Sequence, residues 1–347
     1  MAPKQSSSSK AAAMPSAPLI STDPVLTAAP PPWHSVALVG VLSAFFVQTI
    51  PSLDELDRVA TVQRFTRILF PTLVPSLMGL CYIRTAVALL IWGTSFYLVC
   101  FSPGWEQSTG YQKGSRLRIV PNRVSGIKTM FPFTSWSWNL LGLSFTLNAY
   151  IAYSAALATH NNPDGTSLEQ SVHPWILRLA LLCWECAAPF TLLVAAVIRY
   201  VIWPSVLRAK DGDTANLKHV RNVLMHNVNV VLAVSETFGL SGLSTVPSHV
   251  GVAPLIGLIY VVFSWSMTTS WNEPAHGPQF IYFFLDTTMP GYAPSVALLA
   301  LLAVLILFYA VFGVSEPLLR ALDGTSYGLA HAAVATLLCA SVCRFRD

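Results

Sequence analysis

Apolar runs of about 20 residues alternate with short polar or charged loops along most of the chain, and runs of that length suit helices that cross a hydrocarbon core. Six stand out, at about Ser76 to Phe101, Phe133 to Ala158, Ile176 to Trp203, Asn222 to Leu240, Gly251 to Trp271 and Ala293 to Val314. The pattern predicts an all-α polytopic transmembrane helix bundle of six spans. Two further apolar stretches are short. Val36 to Ile50 predicts an interfacial or re-entrant segment, and Tyr327 to Phe345 predicts either a seventh element or a tail packed against the bundle. Between Pro51 and Pro75, Asp54, Glu55, Asp57, Arg58, Arg64 and Arg67 mix with Leu, Ile and Phe at helical spacing, which predicts a surface helix leading into the membrane. The chain thus divides into a Ser/Ala/Pro-rich tail over 1–32, disordered by its composition, an interfacial segment over 33–75, a bundle over 76–314 and a C-terminal tail or short apolar helix over 315–347.

Composition agrees with a membrane solvent: 54% of the 347 residues are apolar and 10% charged, against about 25% charged in soluble domains. A formal charge of +4 gives no reason to expect nucleic acid. Its distribution is more informative. The loops after the first and third spans hold Lys113, Arg116, Arg118, Arg123 and Lys128, and then Arg208, Lys210, Lys218 and Arg221. Residues 159–175 and 241–250 have no Lys or Arg. The positive-inside rule places the first two loops in the cytosol and the other two on the opposite side. Six spans would then leave both termini outside the cytosol, and a spanning 36–50 segment would return the N-terminus to it.

The fourth run, NVLMHNVNVVLAVSE, interrupts this apolar background. On a regular helix at about 100° per residue, Asn222, His226, Asn229, Ala233 and Glu236 share an arc of roughly 80°. Such a polar stripe is costly against lipid, so it should face other helices, a cavity or a substrate. The second run opens at its basic-loop end with Phe133-Thr134-Ser135-Trp136-Ser137-Trp138-Asn139. Thr134 and His226 therefore lie at similar shallow depths on one side. A hydroxyl and an imidazole brought together between helices are the minimal nucleophile and base for acyl transfer. The plainer alternative has Thr134 capping its helix and His226 bonded to a carbonyl. Asn229 could orient the imidazole, donate to an oxyanion or join helices, and Ser135 could supply an oxyanion donor. Trp136 and Trp138 could line an acyl pocket or serve as interfacial aromatics. Arg84 in the first span is expected to pair with Glu236 or Glu185, since buried carboxylates in lipid pair or stay protonated.

Other chemistries find less support. Six cysteines lie in or beside apolar runs, and the Cys183–Cys186 pair lacks a second ligand pair, so no metal site or cofactor is expected. His160, His173, His249 and His276 fall in loops or at span ends, where a solvated histidine needs no explanation. A haem held between helices would need a deep histidine besides His226. A carrier would show repeats or spans broken at mid-depth, and only Pro189 and Pro254 interrupt spans.

The motifs FPFTSWSWNLLGLSF (131–145), NVLMHNVNVVLAVSE (222–236), IGLIYVVFSW (256–265) and GPQFIYFFLD (277–286) together resemble the androgen-induced and Rolling-stone-like membrane protein superfamily over roughly residues 76–314. The resemblance implies a multi-span hydrolase of lipid esters, of the type formed between fatty acids and hydroxy fatty acids, with an intramembrane threonine and histidine. Carried over by position, that threonine is Thr134, followed by Trp136. The histidine is His226, with Asn222 four residues before and Glu236 ten after. The chain departs from compact members in its longer N-terminal region and in having Ser135 and Ser137 beside Thr134, and Asn229 is closer to the Rolling-stone-like branch. That branch implies the alternative of a structural or cell-surface protein without catalysis. The expected partners are membrane lipid and a lipid ester, in the endoplasmic reticulum or another endomembrane, or in the plasma membrane.

Overall fold

A computed structural model describes residues 26–161, 168–208, 213–271, 274–321 and 326–347. The expected disordered tail lies largely outside these residues, as does Lys210. Among the described residues six helices are long and apolar enough to cross a membrane. They are α4 (Leu77–Cys100), α5 (Phe133–Asn161), α6 (Pro174–Arg208), α7 (Val220–Leu240), α8 (Val252–Ser266, after a 3-10 turn at Pro247–His249) and α9 (Ala293–Arg320). Before them come α1 (Trp33–Val47), α2 (Leu53–Val59) and α3 (Val62–Thr66), and α10 (Ser326–Val342) follows. The chain is an integral membrane protein built as an all-α bundle.

Helix starts follow local chemistry. The hydroxyls of Ser52, Thr61 and Ser76 accept the amides of Glu55, Arg64 and Gly79, satisfying donors that an isolated helix end leaves open. Pro174 occupies the first turn of α6, where its missing N–H costs nothing. α6 is the central helix: 83% of its most apolar window is buried, against 28% for α4 and for α9, whose outer faces present Leu89, Phe96, Leu299 and Leu307 to lipid. α4 and α5 approach closely at Gly142, where a Cβ would come within 2.6 Å of an Ile91 methyl.

The 36–50 stretch, expected to be interfacial or re-entrant, runs alongside α8 and α9. At its start His34 Nδ1 is 2.8 Å and Ser35 Oγ 3.0 Å from Ser295 Oγ, at the basic-loop end of α9. At its far end Phe46 and Thr49 crowd Gly251, at the opposite end of α8. Fifteen residues cover that length because α8 is equally short. The C-terminal segment also forms a helix along the bundle. α10 packs Ala330, Val334 and Leu338 against the main core, and beyond it the Arg344 carbonyl accepts from Asn227 Nδ2 at 2.7 Å.

The basic loop after α4 is not irregular. Trp105–Ser108 (β1) and Pro121–Val124 (β2) pair antiparallel, with Trp105 opposite Val124. Gly104 opens this hairpin at φ +79°, and a Cβ there would meet the Val124 carbonyl at 2.5 Å. The hairpin holds the 277–286 segment in place: the Phe280 amide donates to the Tyr111 hydroxyl at 2.8 Å, and Thr109 Oγ1 donates to the Phe280 carbonyl at 2.9 Å. The 241–250 loop, expected to face the aqueous phase opposite the basic loops, folds inward there. Ser241 to Thr245 are buried, and Thr237 Oγ1 donates to the Leu243 carbonyl at 2.6 Å.

Candidate active site

The start of α5 and the first turns of α7 meet on the basic-loop side. Thr134, the second residue of α5, is half-buried, and its Oγ1 lies 3.4 Å from the Nε2 of buried His226. This is longer than a working hydrogen bond of about 2.6–3.2 Å, and such pairs tighten when substrate arrives. His226 sits in a π-helical turn, Leu224–Val228, closed by the Asn229 amide donating to the Leu224 carbonyl. π turns insert a residue into a helix and recur at functional sites.

That turn redistributes the polar stripe expected of a regular helix. Asn222 stays at the loop end, where its Nδ2 donates to the Asn216 carbonyl at 2.6 Å and its Oδ1 accepts from Arg221 Nε at 3.2 Å. Asn229 is fully buried; its Oδ1 accepts the neighbouring Val230 amide at 2.7 Å and its Nδ2 has no partner among the described residues. It makes no hydrogen bond to His226 or Thr134 among the described residues. Glu236 begins a second π turn and is bound by Arg84, whose Nε donates at 3.3 Å beside a shorter bond from Nη2, and by Ser241 Oγ at 2.6 Å. Arg84 Nη1 adds bonds to the carbonyls of Phe65 at 2.8 Å and Asn148 at 3.1 Å, so this pair ties α3, α4, α5 and α7 together.

The hydroxyls and indoles beside Thr134 also separate. Ser135 Oγ donates its proton to the Thr129 carbonyl at 2.6 Å. Ser137 Oγ is buried without a partner among the described residues. Trp138 is fully buried between α5 and α4, with its Nε1 donating to the Ile91 carbonyl at 3.2 Å, and it does not line the cavity beside Thr134. Trp136 packs its ring 5.2 Å from Tyr260 and 5.2 Å from Phe263.

Thr134 lines a partly open apolar cavity of about 90 Å³. Val197, Leu258, Leu298 and Leu305 represent its apolar wall, and its polar groups come from Thr134, Tyr260 and Tyr282. No charged residue and no histidine lines it among the described residues. His226 reaches Thr134 from outside the lining.

Tyr282 escaped sequence reasoning. Its hydroxyl is 3.5 Å from both the Thr134 amide and Oγ1, and its ring stacks on Phe284 at 5.1 Å and 9°. Burial raises its pKa above that of a free phenol, so the hydroxyl stays protonated. GPQFIYFFLD, which supplies it, carried no signal beyond aromatic richness.

At the other end of the bundle, Glu185 is bound by His249 rather than by Arg84. His249 is buried, not solvated at a span end: its Nδ1 lies 3.1 Å from each Glu185 oxygen, and the Val246 amide donates to the same carboxylate at 3.0 Å. The inward fold of the 241–250 loop brings them together. Among the described residues no cluster of His, Cys, Asp and Glu could hold a metal, and Cys183 and Cys186 are buried free thiols.

No family model, curated protein or solved structure matches the chain.

Proposed function

We propose that the protein is an intramembrane hydrolase of lipid esters, of the type formed between fatty acids and hydroxy fatty acids, acting in an endomembrane such as the endoplasmic reticulum or in the plasma membrane. The observation that carries this reading is the approach of Thr134 Oγ1 to His226 Nε2, 3.4 Å, at the polar end of an apolar cavity. His226 Nε2 takes the threonine proton as Oγ1 attacks the ester carbonyl. The carbonyl π pair moves onto oxygen, and the tetrahedral intermediate collapses as the imidazolium protonates the departing alkoxide. An acyl-threonine remains, with its chain in the cavity. Water, deprotonated by the same imidazole, then attacks the acyl carbon. Threonine leaves with a proton from His226, and the fatty acid is released.

The four motifs that resemble androgen-induced and Rolling-stone-like proteins support the same pair of residues. Glu236 belongs to the framework, bound to Arg84 far along α7 from His226. The test is turnover by purified protein of an ester between two fatty acids. Thr134→Ala and His226→Ala, folded as the parent, are each expected to lose at least about 100-fold in kcat/KM. A folded parent that turns over no such ester would favour a structural membrane role.

A further inference from the structure

The polar end of the cavity contains more hydroxyls than a nucleophile requires. Tyr260 is 4% exposed and lines the cavity; the Phe133 backbone lies near its oxygen, yet no acceptor takes its phenol proton among the described residues. A buried hydroxyl left unpaired costs on the order of 1–3 kcal/mol, so a site that keeps one is built for an oxygen or nitrogen that arrives with a ligand. Tyr282 adds a second hydroxyl, one with neighbours at 3.5 Å in the Thr134 amide and Oγ1. The Thr134 amide points at its phenol oxygen from 3.5 Å, which leaves the phenol proton for another acceptor. The two come from different elements: Tyr260, on α8, packs its ring 4.9 Å from Phe133, the residue before Thr134, and Tyr282 comes from the segment pinned by the hairpin.

We infer that Tyr260 and Tyr282 form a two-phenol site for the carbonyl oxygen of an uncharged ester, with Tyr282 donating to the oxyanion that develops on attack by Thr134. This deepens the hydrolase reading and rests on it for the catalytic half; the binding half stands alone. An oxyanion bonded to the same carbon as Oγ1 lies only about 2.3 Å from that atom. A donor 3.5 Å from Oγ1 can therefore reach hydrogen-bond distance of the oxyanion without moving the chain. The lining carries no cation to hold a carboxylate, so the group taken into the cavity is neutral. A free carboxylate elsewhere on the substrate would stay outside it. Phenols suit this position: Tyr282 is kept protonated by burial, and a neutral donor in an apolar site strengthens as charge develops on the acceptor.

Two measurements test the inference. The first uses Thr134→Ala, which cannot form an acyl-enzyme, with a long-chain methyl ketone bearing a photoreactive diazirine. Competition by an unlabelled methyl ketone is compared with competition by an alkane of equal length. The ketone is expected to compete at least about tenfold better, and this preference should vanish when Tyr260→Phe and Tyr282→Phe are added. Equal competition before those changes, or an undiminished preference after them, overturns the proposal whether or not the protein is a hydrolase. The second measurement compares ester turnover in Tyr282→Phe and the parent. A fall in kcat of about 100-fold with KM within about threefold is expected of a group that acts on the oxyanion. Unchanged kcat in a parent that hydrolyses esters through Thr134 overturns the oxyanion role and leaves the hydrolase reading intact. A parent without turnover removes the hydrolase reading and the oxyanion role, while the ketone result still decides the binding site. Tyr260→Phe removes only an unpaired hydroxyl, so its melting temperature should equal or exceed that of the parent; a lower one identifies a structural role and contradicts the assignment.

Discussion

Arg84 and Glu236 meet with both side chains wholly removed from solvent, one on α4 and the other at the far end of α7. The guanidinium also donates to backbone carbonyls of Phe65 and Asn148, and Ser241 completes the carboxylate's partners. Two charges buried this deeply are tolerated because almost every donor and acceptor is used. Removing one charge leaves the other uncompensated. Arg84→Met and Glu236→Leu are each expected to destabilise the protein by about 3–5 kcal/mol, and the double variant to recover part of that loss. Thermal melts in detergent micelles measure it. Single variants that melt with the parent would show that the pair contributes little to the bundle.

Outside the core, Arg178 Nε and Nη2 reach Asp57 at 2.6 and 2.5 Å. The bonds from Arg178 hold the Asp57 carboxyl below its ordinary value, so the folded state binds this proton less readily than the unfolded chain. The sign follows directly. The stabilisation is complete above the unfolded pKa of about 3.9 and is lost as pH falls through the lower folded value. Because the carboxylate is exposed, the effect is small and screened by salt. Asp57→Asn should melt slightly below the parent at pH 7, with the gap closing below about pH 4. A gap that widens with acid would contradict this pairing.

Gly142 sets the spacing of α4 and α5, since a Cβ there would lie 2.6 Å from Ile91 Cγ2 and 3.3 Å from the Trp92 ring. A Gly142→Val change forces this interface apart and is expected to cost about 1–3 kcal/mol, as overpacking does. Ile91→Ala in the same chain should return part of it by vacating the space. A double variant less stable than either single one would place the strain elsewhere. Melting of the single and double variants gives the comparison.

How far the sequence discloses this protein depends on which signal each element uses. Spans are set by apolar length alone, which is why Leu77–Cys100 and Ala293–Arg320 begin within a residue of where the runs begin. That Arg84 pairs with a carboxylate follows from the cost of leaving either charge in lipid, but the choice of Glu236 over Glu185 depends on how α4 and α7 pack. The course of α1 alongside α8 and α9 is not visible in its own fifteen residues, because it depends on α8 being equally short. The hairpin at Trp105–Val124 hides in a stretch read only for its charge. The polar stripe misleads in a specific way: the π turn at Leu224–Val228 breaks the 100° spacing within it, and Asn222, Asn229 and Glu236 take partners other than His226. Tyr260 and Tyr282 resemble the aromatics of any membrane interface until the unpaired hydroxyl and the nearby threonine are seen together.

The account stands or falls on Thr134 as the group that takes the acyl chain. The most direct measurement treats the folded protein in membranes with a long-chain alkyl fluorophosphonate and locates the adduct by peptide mass spectrometry. The phosphonyl group is expected on the hydroxyl of Thr134 and on neither Ser135 nor Ser137, with labelling slowed at least about 100-fold in His226→Ala. Labelling confined to another residue, or a rate unchanged by loss of His226, would contradict the account.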